Sequence, residues 1–174
     1  LSNFKNHRVL GVTPELIGNL AIQKGIPTII NYFNNEVSNQ ISKNYGKAKI
    51  VTATNVFAHI DDSHELIKNI LNILSKDGMF VTESHYLYTL LRTVQYDTIY
   101  HEHLRYYSLT SIKYLLDKFG LEIIDAKKIK THGGSIRVYA SFKGVFKKTN
   151  RVSRKLNLEK KYINMKTFKE FQKK

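Results

Sequence analysis

Cysteine is absent from this sequence of 174 residues, which excludes disulfide bonds and metal sites built on thiolates. No stretch approaches the roughly 18 consecutive apolar residues of a membrane span, and no signal-peptide pattern opens the chain. The sequence therefore predicts a soluble, cytoplasmic protein without a membrane partner. Its hydrophobic content of 42% is enough for one sizeable core, so we expect one main globular domain.

Acidic residues are scarce in the last part of the chain. Residues 143–174 contain twelve lysines and arginines but only two glutamates, whereas the first 142 residues carry only +4 of the net charge of +14. Such a basic tail fits either a solvated helix or a patch for an anionic ligand. Because the excess charge lies beyond the segments that carry candidate chemistry, we expect no nucleic-acid partner.

Short apolar strands alternate with helical patterns through residue 83. This order predicts a parallel α/β sheet with right-handed crossovers. In the clearest helix, which opens at Asp61 and is expected to stop before Asp77, five apolar residues fall on one face: Leu66, Ile67, Ile70, Leu71 and Leu74. Strands are predicted at residues 8–12, 27–32, 48–54 and 78–83, with helices at residues 14–24 and 35–45 between the first three.

The second half of the chain predicts a different arrangement. Ser108 is expected to cap a helix that runs through Phe119, with Gly120 as its left-handed stop. Residues 121–129 and 136–142 predict two strands that pair antiparallel at the sheet edge. In the tail, an amphipathic helix is predicted from apolar residues at helical spacing: Leu158, Tyr162, Met165 and Phe168.

No glycine-rich turn precedes Arg8, although doubly wound nucleotide-binding folds place such a turn after their first strand. Residues 1–7 are too few to contain a strand and its helix. We therefore expect this chain to be part of a larger protein, with residues 1–146 forming a partial domain and residues 147–174 forming a basic linker helix.

Two segments concentrate the polar, titratable and aromatic side chains. Residues 96–107 read YDTIYHEHLRYY, and they follow a strand that itself ends in Glu83 and His85. Residues 131–139 read THGGSIRVY, in which adjacent glycines allow close backbone approach or positive φ. Such residues at the carboxyl end of a strand indicate a functional site more than a core.

Four motifs carry a resemblance to a known family: VLGVTP from residue 9, NVFAHIDD from residue 55, YDTIYHEHL from residue 96 and THGGSIRVY from residue 131. Residues 8–143 resemble the S-adenosylmethionine-dependent C-methyltransferases that act on nucleotide-linked keto-sugars. The resemblance implies a Rossmann-like class I methyltransferase sheet, mostly parallel with an antiparallel pair at its edge. In that family a zinc module and a glycine-rich cofactor turn come first, and a second domain follows the linker helix.

The resemblance also assigns the residues that bind S-adenosylmethionine. Asn55 would lie beside the methionine portion, with Val56 and Phe57 lining the same wall. Pro14 and Phe33 would flank the adenine. At the position of Thr13 the family has an acidic residue for the ribose hydroxyls, and a neutral hydroxyl holds a diol less strongly than a carboxylate does.

The family pattern Y-x-E-H gives catalytic parts to Tyr100, Glu102 and His103. Forming a carbon–carbon bond requires a carbanion equivalent, which a keto-sugar supplies when a base removes the proton beside its carbonyl. His103 is predicted to be that base, because imidazole titrates near neutral pH, with Glu102 orienting or charging it. Tyr100 and His59 would steady the enolate oxygen or the sugar.

Several alternatives remain at the sequence level. His59 fits a structural turn as well, and the segment from His132 to Gly134 fits either a tight turn or a catalytic element. His101 and His103 share a face of an extended segment, but they lack the further ligands of a metal site, so no metal is predicted. The competing functions are an O- or N-methyltransferase of the same fold and a basic module that binds nucleic acid.

Overall fold

The structure is a computed structural model that describes residues 7–173. Within that range six strands alternate with helices. The strands are β1 (Gly11–Thr13), β2 (Thr28–Ile30), β3 (Ala48–Thr54), β4 (Leu74–His85), β5 (Leu121–Ile129) and β6 (Ser135–Phe142). The α-helices are α1 (Gly18–Gln23), α2 (Asn35–Asn44), α3 (Ser63–Ile73), α4 (Leu87–Thr93), α5 (Leu109–Asp117), α6 (Asn150–Tyr162) and α7 (Met165–Gln172).

The strands form two sheets. β1 and β2 pair in parallel, and the larger sheet has the order β3-β4-β6-β5. In the larger sheet β3 is parallel to β4, while β6 is antiparallel to both β4 and β5. This confirms the predicted α/β class, the parallel pairing of the early strands and the antiparallel pair at the edge.

The main core lies between the larger sheet and helices α3 and α5. Ile67 and Leu116 contribute from the helices, and Phe80 and Val138 contribute from the central strands; all four are at most 1% exposed. Each large apolar side chain buried in this way contributes about 1.5–3 kcal/mol. The core therefore fixes β3, β4 and β6, whose ends carry the candidate chemistry.

A smaller cluster joins the two sheets through α2. Val37 and Ile41 of α2 pack with Ile73 at the end of α3. Partly buried residues in or near strands of both sheets surround them: Leu10, Val12, Ile29, Phe33 and Val51. Among the described residues no ladder hydrogen bonds link β1 to β3. The two-stranded sheet is thus held mainly by side-chain packing.

Local sequence signals set several of the helix ends. Asp62 caps α3 by accepting from the N–H groups of His64 and Glu65, each at 2.9 Å. Ser108 caps α5 as predicted, and it does so in a capping box with Ser111. Gly120, with φ of 75°, follows α5 in the left-handed conformation.

Three predicted boundaries and one missing helix need correction. α3 ends at Ile73, because Leu74 pairs with Ala48 as the first residue of β4. The helix expected from Pro14 begins only at Gly18, and the strand expected from Arg8 begins at Gly11. α4 had not been predicted.

The prediction of a single amphipathic helix in the tail was also wrong, both in the number of helices and in the face that is buried. α6 ends at Tyr162, and Asn164 caps the separate helix α7. Leu158 is 51% exposed and Met165 is 70% exposed. The buried tail side chains are instead Val152, Glu159, Thr167 and Phe171.

None of the helices within residues 7–173 is long and apolar enough to cross a bilayer.

Candidate active site

A cavity of about 260 Å³ lies where β3 and β4 end. Its walls come from the turn after β3, the end of β4, the loop that follows α4 and the loop between β5 and β6. In parallel α/β sheets ligands bind at this edge, outside the carboxyl ends of the strands. The lining residues are Asn55, Ala58, His59, Ser84, His85, Asp97, Thr98, Tyr100, His103 and His132.

Hydrogen bonds fix two of these walls against each other. The backbone N–H of Leu104 donates to the carbonyl of Ala58 at 2.9 Å. The guanidinium of Arg105 donates to the carbonyl of Asp61 at 2.7 Å and also to that of Ile60. The loop that carries the predicted catalytic pattern is therefore held over the turn after β3.

His103 and Tyr100 form a hydrogen-bonded pair inside the cavity. Nδ1 of His103 lies 2.9 Å from the carbonyl oxygen of Thr98, and Nε2 lies 3.1 Å from the hydroxyl of Tyr100. Because a carbonyl can only accept, Nδ1 carries the proton and Nε2 of the neutral ring is the acceptor. A base oriented by a third group and bonded to a hydroxyl is a common catalytic arrangement.

His59 lies beside His103 in the lining of the cavity, with 5.1 Å between the ring centroids. Its Nδ1 lies 2.9 Å from the backbone carbonyl of Glu102. The contribution of Glu102 to this geometry is therefore its backbone oxygen. The bond to Nδ1 of His103, which would orient that ring, comes from Thr98 and not from the Glu102 carboxylate. Glu102 is exposed and does not line the cavity.

Asn55 and His132 meet at the mouth of the cavity in strained backbone conformations. Asn55 has φ of 55° and His132 has φ of 49°, and Nδ2 of Asn55 lies 3.2 Å from Nε2 of His132. Positive φ in residues other than glycine is uncommon and concentrates at functional sites. The sequence left His132 open as a turn or a site residue; its ring lines the cavity.

An ion pair between a buried carboxylate and a partly exposed guanidinium holds this part of the site in place. Glu83, 3% exposed, accepts from Nε of Arg137 at 2.8 Å and from the hydroxyl of Thr131 at 2.9 Å. The carbonyl of Glu83 also accepts the N–H of Asn55 at 2.8 Å. Its hydrogen bond to the guanidinium raises the pKa of Arg137. Glu83 thus connects both strained residues to the sheet.

His85 is a cavity residue that the sequence marked only as the end of a strand. Its ring lies 5.8 Å from that of His103, centroid to centroid. Burial lowers the pKa of His85, although a hydrogen bond with the backbone of His132 opposes this effect. Its neighbour His103 therefore faces a neutral imidazole at neutral pH. No group of three His, Cys, Asp or Glu side chains within residues 7–173 is arranged to hold a metal ion.

The residues assigned to the cofactor are less concentrated than the catalytic ones. Of the six, only Asn55 lines the cavity. Thr13 and Pro14 lie at the end of β1, and Val56 is 37% exposed beside Asn55. The ring of Phe57 is 1% exposed and packs in the core between Phe80 and Tyr107.

Comparison with known proteins identifies the family. Residues 4–126 match the model of a methyltransferase domain, and the chain therefore belongs to that family. C-methyltransferase NovU of Streptomyces niveus is 40% identical over 135 residues, which are 77% of this chain and 32% of NovU. The chain thus spans about a third of the length of this curated relative.

Solved structures agree on the fold. A SAM-dependent methyltransferase from Anabaena variabilis is similar with a TM-score of 0.58 and 14% identity, over 78% of this chain and 68% of that one. OxaC, solved with SAH and oxaline, gives a TM-score of 0.63 and 14% identity, over 82% of this chain and 37% of that one. These identities support the fold alone. Together with the family match they confirm the methyltransferase domain that the motifs predicted.

Proposed function

We propose that this chain takes part in methyl transfer from S-adenosylmethionine to a carbon atom of a nucleotide-linked keto-sugar, through an enolate. The hydrogen-bonded pair of Tyr100 and His103 is the observation that carries this proposal. Transfer to carbon requires removal of a C–H proton, and this pair offers a neutral imidazole acceptor in a small cavity. The likeness to a C-methyltransferase in amino-acid sequence supports the same chemistry.

The geometry suggests how the proton would move. Nε2 of His103 already accepts the hydroxyl hydrogen of Tyr100, so the lone pair is not directed at a substrate. The Tyr100 oxygen would take the proton from the carbon beside the sugar carbonyl while its own proton passes to Nε2. The step leaves a neutral tyrosine, an imidazolium at His103 and an enolate. Tyr100, predicted to steady the enolate, would thus also relay the proton.

His59 is suited to stabilise the enolate oxygen, which gains negative charge in this step. Its Nδ1–H is used by the carbonyl of Glu102, which leaves Nε2 for the substrate. Neutral Nε2 would accept from a sugar hydroxyl, and a protonated ring would donate to the enolate oxygen. Preorganised donors of this kind are a major source of rate enhancement.

The residues at the strand ends fit S-adenosylmethionine in part. Asn55 presents its side chain at the cavity mouth, and the hydroxyl oxygen of Thr13 accepts the N–H of Glu15 at 3.2 Å, which leaves its hydrogen free for a ribose oxygen. Asn55 and Val56 would hold the methionine portion, Thr13 the ribose, and Pro14 and Phe33 the adenine. Once bound, the sulfonium group supplies an electrophilic methyl group.

Exchange of the substrate's C–H proton with deuterated water, measured without methyl donor, tests the proposal. With a nucleoside-diphosphate keto-hexose as the probe, we expect His103→Asn and Tyr100→Phe each to slow exchange by about 10²–10⁴-fold. His101→Asn is the matched control, because His101 is exposed nearby and does not line the cavity. Exchange by His103→Asn at the wild-type rate would exclude His103 as the base.

Glu102→Gln separates the predicted charge effect from the observed geometry. The carboxylate does not hold His103 in the structure, and the variant keeps the backbone carbonyl that binds His59. We therefore expect a smaller loss of exchange than in His103→Asn. A loss as large as that of His103→Asn would restore the direct role predicted from the family pattern. An O- or N-methyltransferase, which needs no carbanion, would show no exchange in any variant.

A further inference from the structure

The loop of residues 96–107, here called the pocket loop, owes its shape to contacts at its own beginning. Thr98, in the 3₁₀ turn Tyr96–Thr98, has a carbonyl that accepts from both Nδ1 of His103 and the hydroxyl of Tyr106, at 2.9 and 3.1 Å. This one carbonyl sets both the ring orientation and the tautomer of His103. Movement of the turn would therefore change the position and the tautomer of the His103 ring, and with them the nitrogen lone pair that faces the cavity.

The beginning of the pocket loop is attached to the last helix of the chain. The ring of Tyr96 stacks on that of Phe171 in α7, with 4.2 Å between centroids and 20° between planes. The hydroxyl of Tyr96 donates to the carbonyl of Phe171. Phe171 is 9% exposed and packs against Leu90 and Leu91 of α4. The turn that holds His103 thus rests on α7.

The helix that directly follows the pocket loop, α5, is attached to α6. Glu159, 1% exposed, accepts from the backbone N–H groups of Leu109 and Thr110 at 2.6 and 2.8 Å, and from the Thr110 hydroxyl at 2.6 Å. A carboxylate here is stabilised by the positive end of the α5 dipole. Tyr86 forms an isolated β-bridge with Tyr107, the last residue of the pocket loop. Burial, together with the negative charge of Glu159, raises the pKa of the Tyr86 hydroxyl.

We infer that α6 and α7 are the support that sets the geometry of the pocket loop, and that Phe171 and Glu159 are positioning residues for His103. Both anchors lie outside residues 4–126, the part that matches the family model. The inference gives the basic tail a role in the site, through its few buried side chains and not through its charge. As a statement about catalysis, it rests on the proposed function.

Long-range ¹H–¹⁵N spectra of the histidine rings test the inference without any substrate. In the wild-type chain we expect His103 to show the Nδ1–H tautomer that its bond to Thr98 requires. Phe171→Ala removes the stacked ring, so we expect loss of this single tautomer. Phe168→Ala is the matched control on the same helix, since Phe168 is 40% exposed. An unchanged His103 tautomer in Phe171→Ala would overturn the inference.

Two further variants guard against simple unfolding of the tail. Tyr96→Phe keeps the ring stack and removes only the hydrogen bond to Phe171, so we expect a smaller shift of the same His103 signals. Glu159→Gln keeps the shape of the anchor at α5 but removes its charge. If both variants stay folded by circular dichroism and leave the His103 signals unchanged, the tail does not position the ring.

Proton exchange on the keto-hexose probe then connects position to activity. A displacement of about 1 Å can cost about 10²-fold in rate, which is the loss we expect for Phe171→Ala. Phe168→Ala should stay within about twofold of wild type, as surface substitutions do. If the wild-type chain exchanges no proton, the proposed function fails, while the tautomer comparison still decides whether the tail holds His103.

Discussion

The two halves of the candidate site are held very differently. The residues predicted to be catalytic lie in loops at the end of a four-stranded sheet, in which strand β4 has 12 residues, and the main core packs directly against this sheet. The residues assigned to the cofactor's ribose and adenine lie at or just after the ends of strands of three residues each. Near them Leu16 and Ile17 are 77% and 65% exposed. The predicted catalytic end therefore rests on the main core, whereas the predicted cofactor end rests on short strands and a smaller cluster.

The largest expected effect tests the support beneath the catalytic half. Phe80→Ala empties a position that is 0% exposed and in ring contact with Phe57, so we expect a loss of about 3–5 kcal/mol in the free energy of unfolding. Ile29→Ala, in β2, removes a side chain that is only partly buried, and about 1 kcal/mol is expected. Urea unfolding of both variants measures the two losses.

Native-state hydrogen exchange gives an independent control on the same comparison. The amide of Val138 in β6 should exchange only on global unfolding, while the amide of Val12 in β1 should exchange through local opening. Equal protection of both amides, or equal losses from the two substitutions, would show that the two sheets unfold as one unit. The contrast between the halves would then be wrong.

An intermediate effect is expected at the ribose position. We expect the wild-type chain to bind S-adenosylmethionine weakly, because Thr13 offers a neutral hydroxyl where the family has an acid. Thr13→Asp should bind about fivefold more tightly, since hydrogen bonds to a charged acceptor are stronger by about 1 kcal/mol. Isothermal titration calorimetry measures both affinities.

Asn44→Asp provides the charge-matched control, because Asn44 is exposed at the end of α2. Its affinity for S-adenosylmethionine should equal that of the wild-type chain. A micromolar dissociation constant in the wild-type chain would contradict the expected weakness of the cofactor end. Equal affinity in Thr13→Asp and wild type would remove Thr13 from the ribose site.

Much of the fold followed from sequence because local signals agreed with tertiary packing. Predicted strands 48–54 and 121–129 match β3 and β5, and the cap at Ser108 is present. The end of α3 was missed because Leu74 continues the apolar helical pattern, while strand pairing with Ala48 takes it into β4. Side-chain periodicity carries no information about that competition.

The candidate site was predictable in its side chains and less so in its hydrogen bonds. His59, Tyr100 and His103 do line one cavity. The carbonyl of Thr98 that orients His103 could not be predicted, because every residue has such an oxygen and only the folded loop selects one. The burial of Glu159 was hidden for a related reason: its partners are backbone N–H groups some fifty residues away.

The smallest expected effect concerns the pair that fastens α6 to β5. Arg151 donates to both carboxylate oxygens of Asp125, at 2.7 and 2.6 Å, and these bonds hold the pKa of Asp125 well below its usual range. A lowered folded-state pKa stabilises the protein above the unfolded-state value, near 4, and the benefit is lost as pH falls through the folded-state value. Arg151→Gln should therefore lower the free energy of unfolding only slightly near neutral pH, because the arginine is half exposed, and progressively less below about pH 4. Lys49→Gln, which breaks an exposed pair with Asp77, is the control and should change stability much less. Urea unfolding across this pH range decides the matter. A loss in Arg151→Gln that stays constant with pH would show that packing of the arginine, and not its charge, fastens the tail that supports the pocket loop.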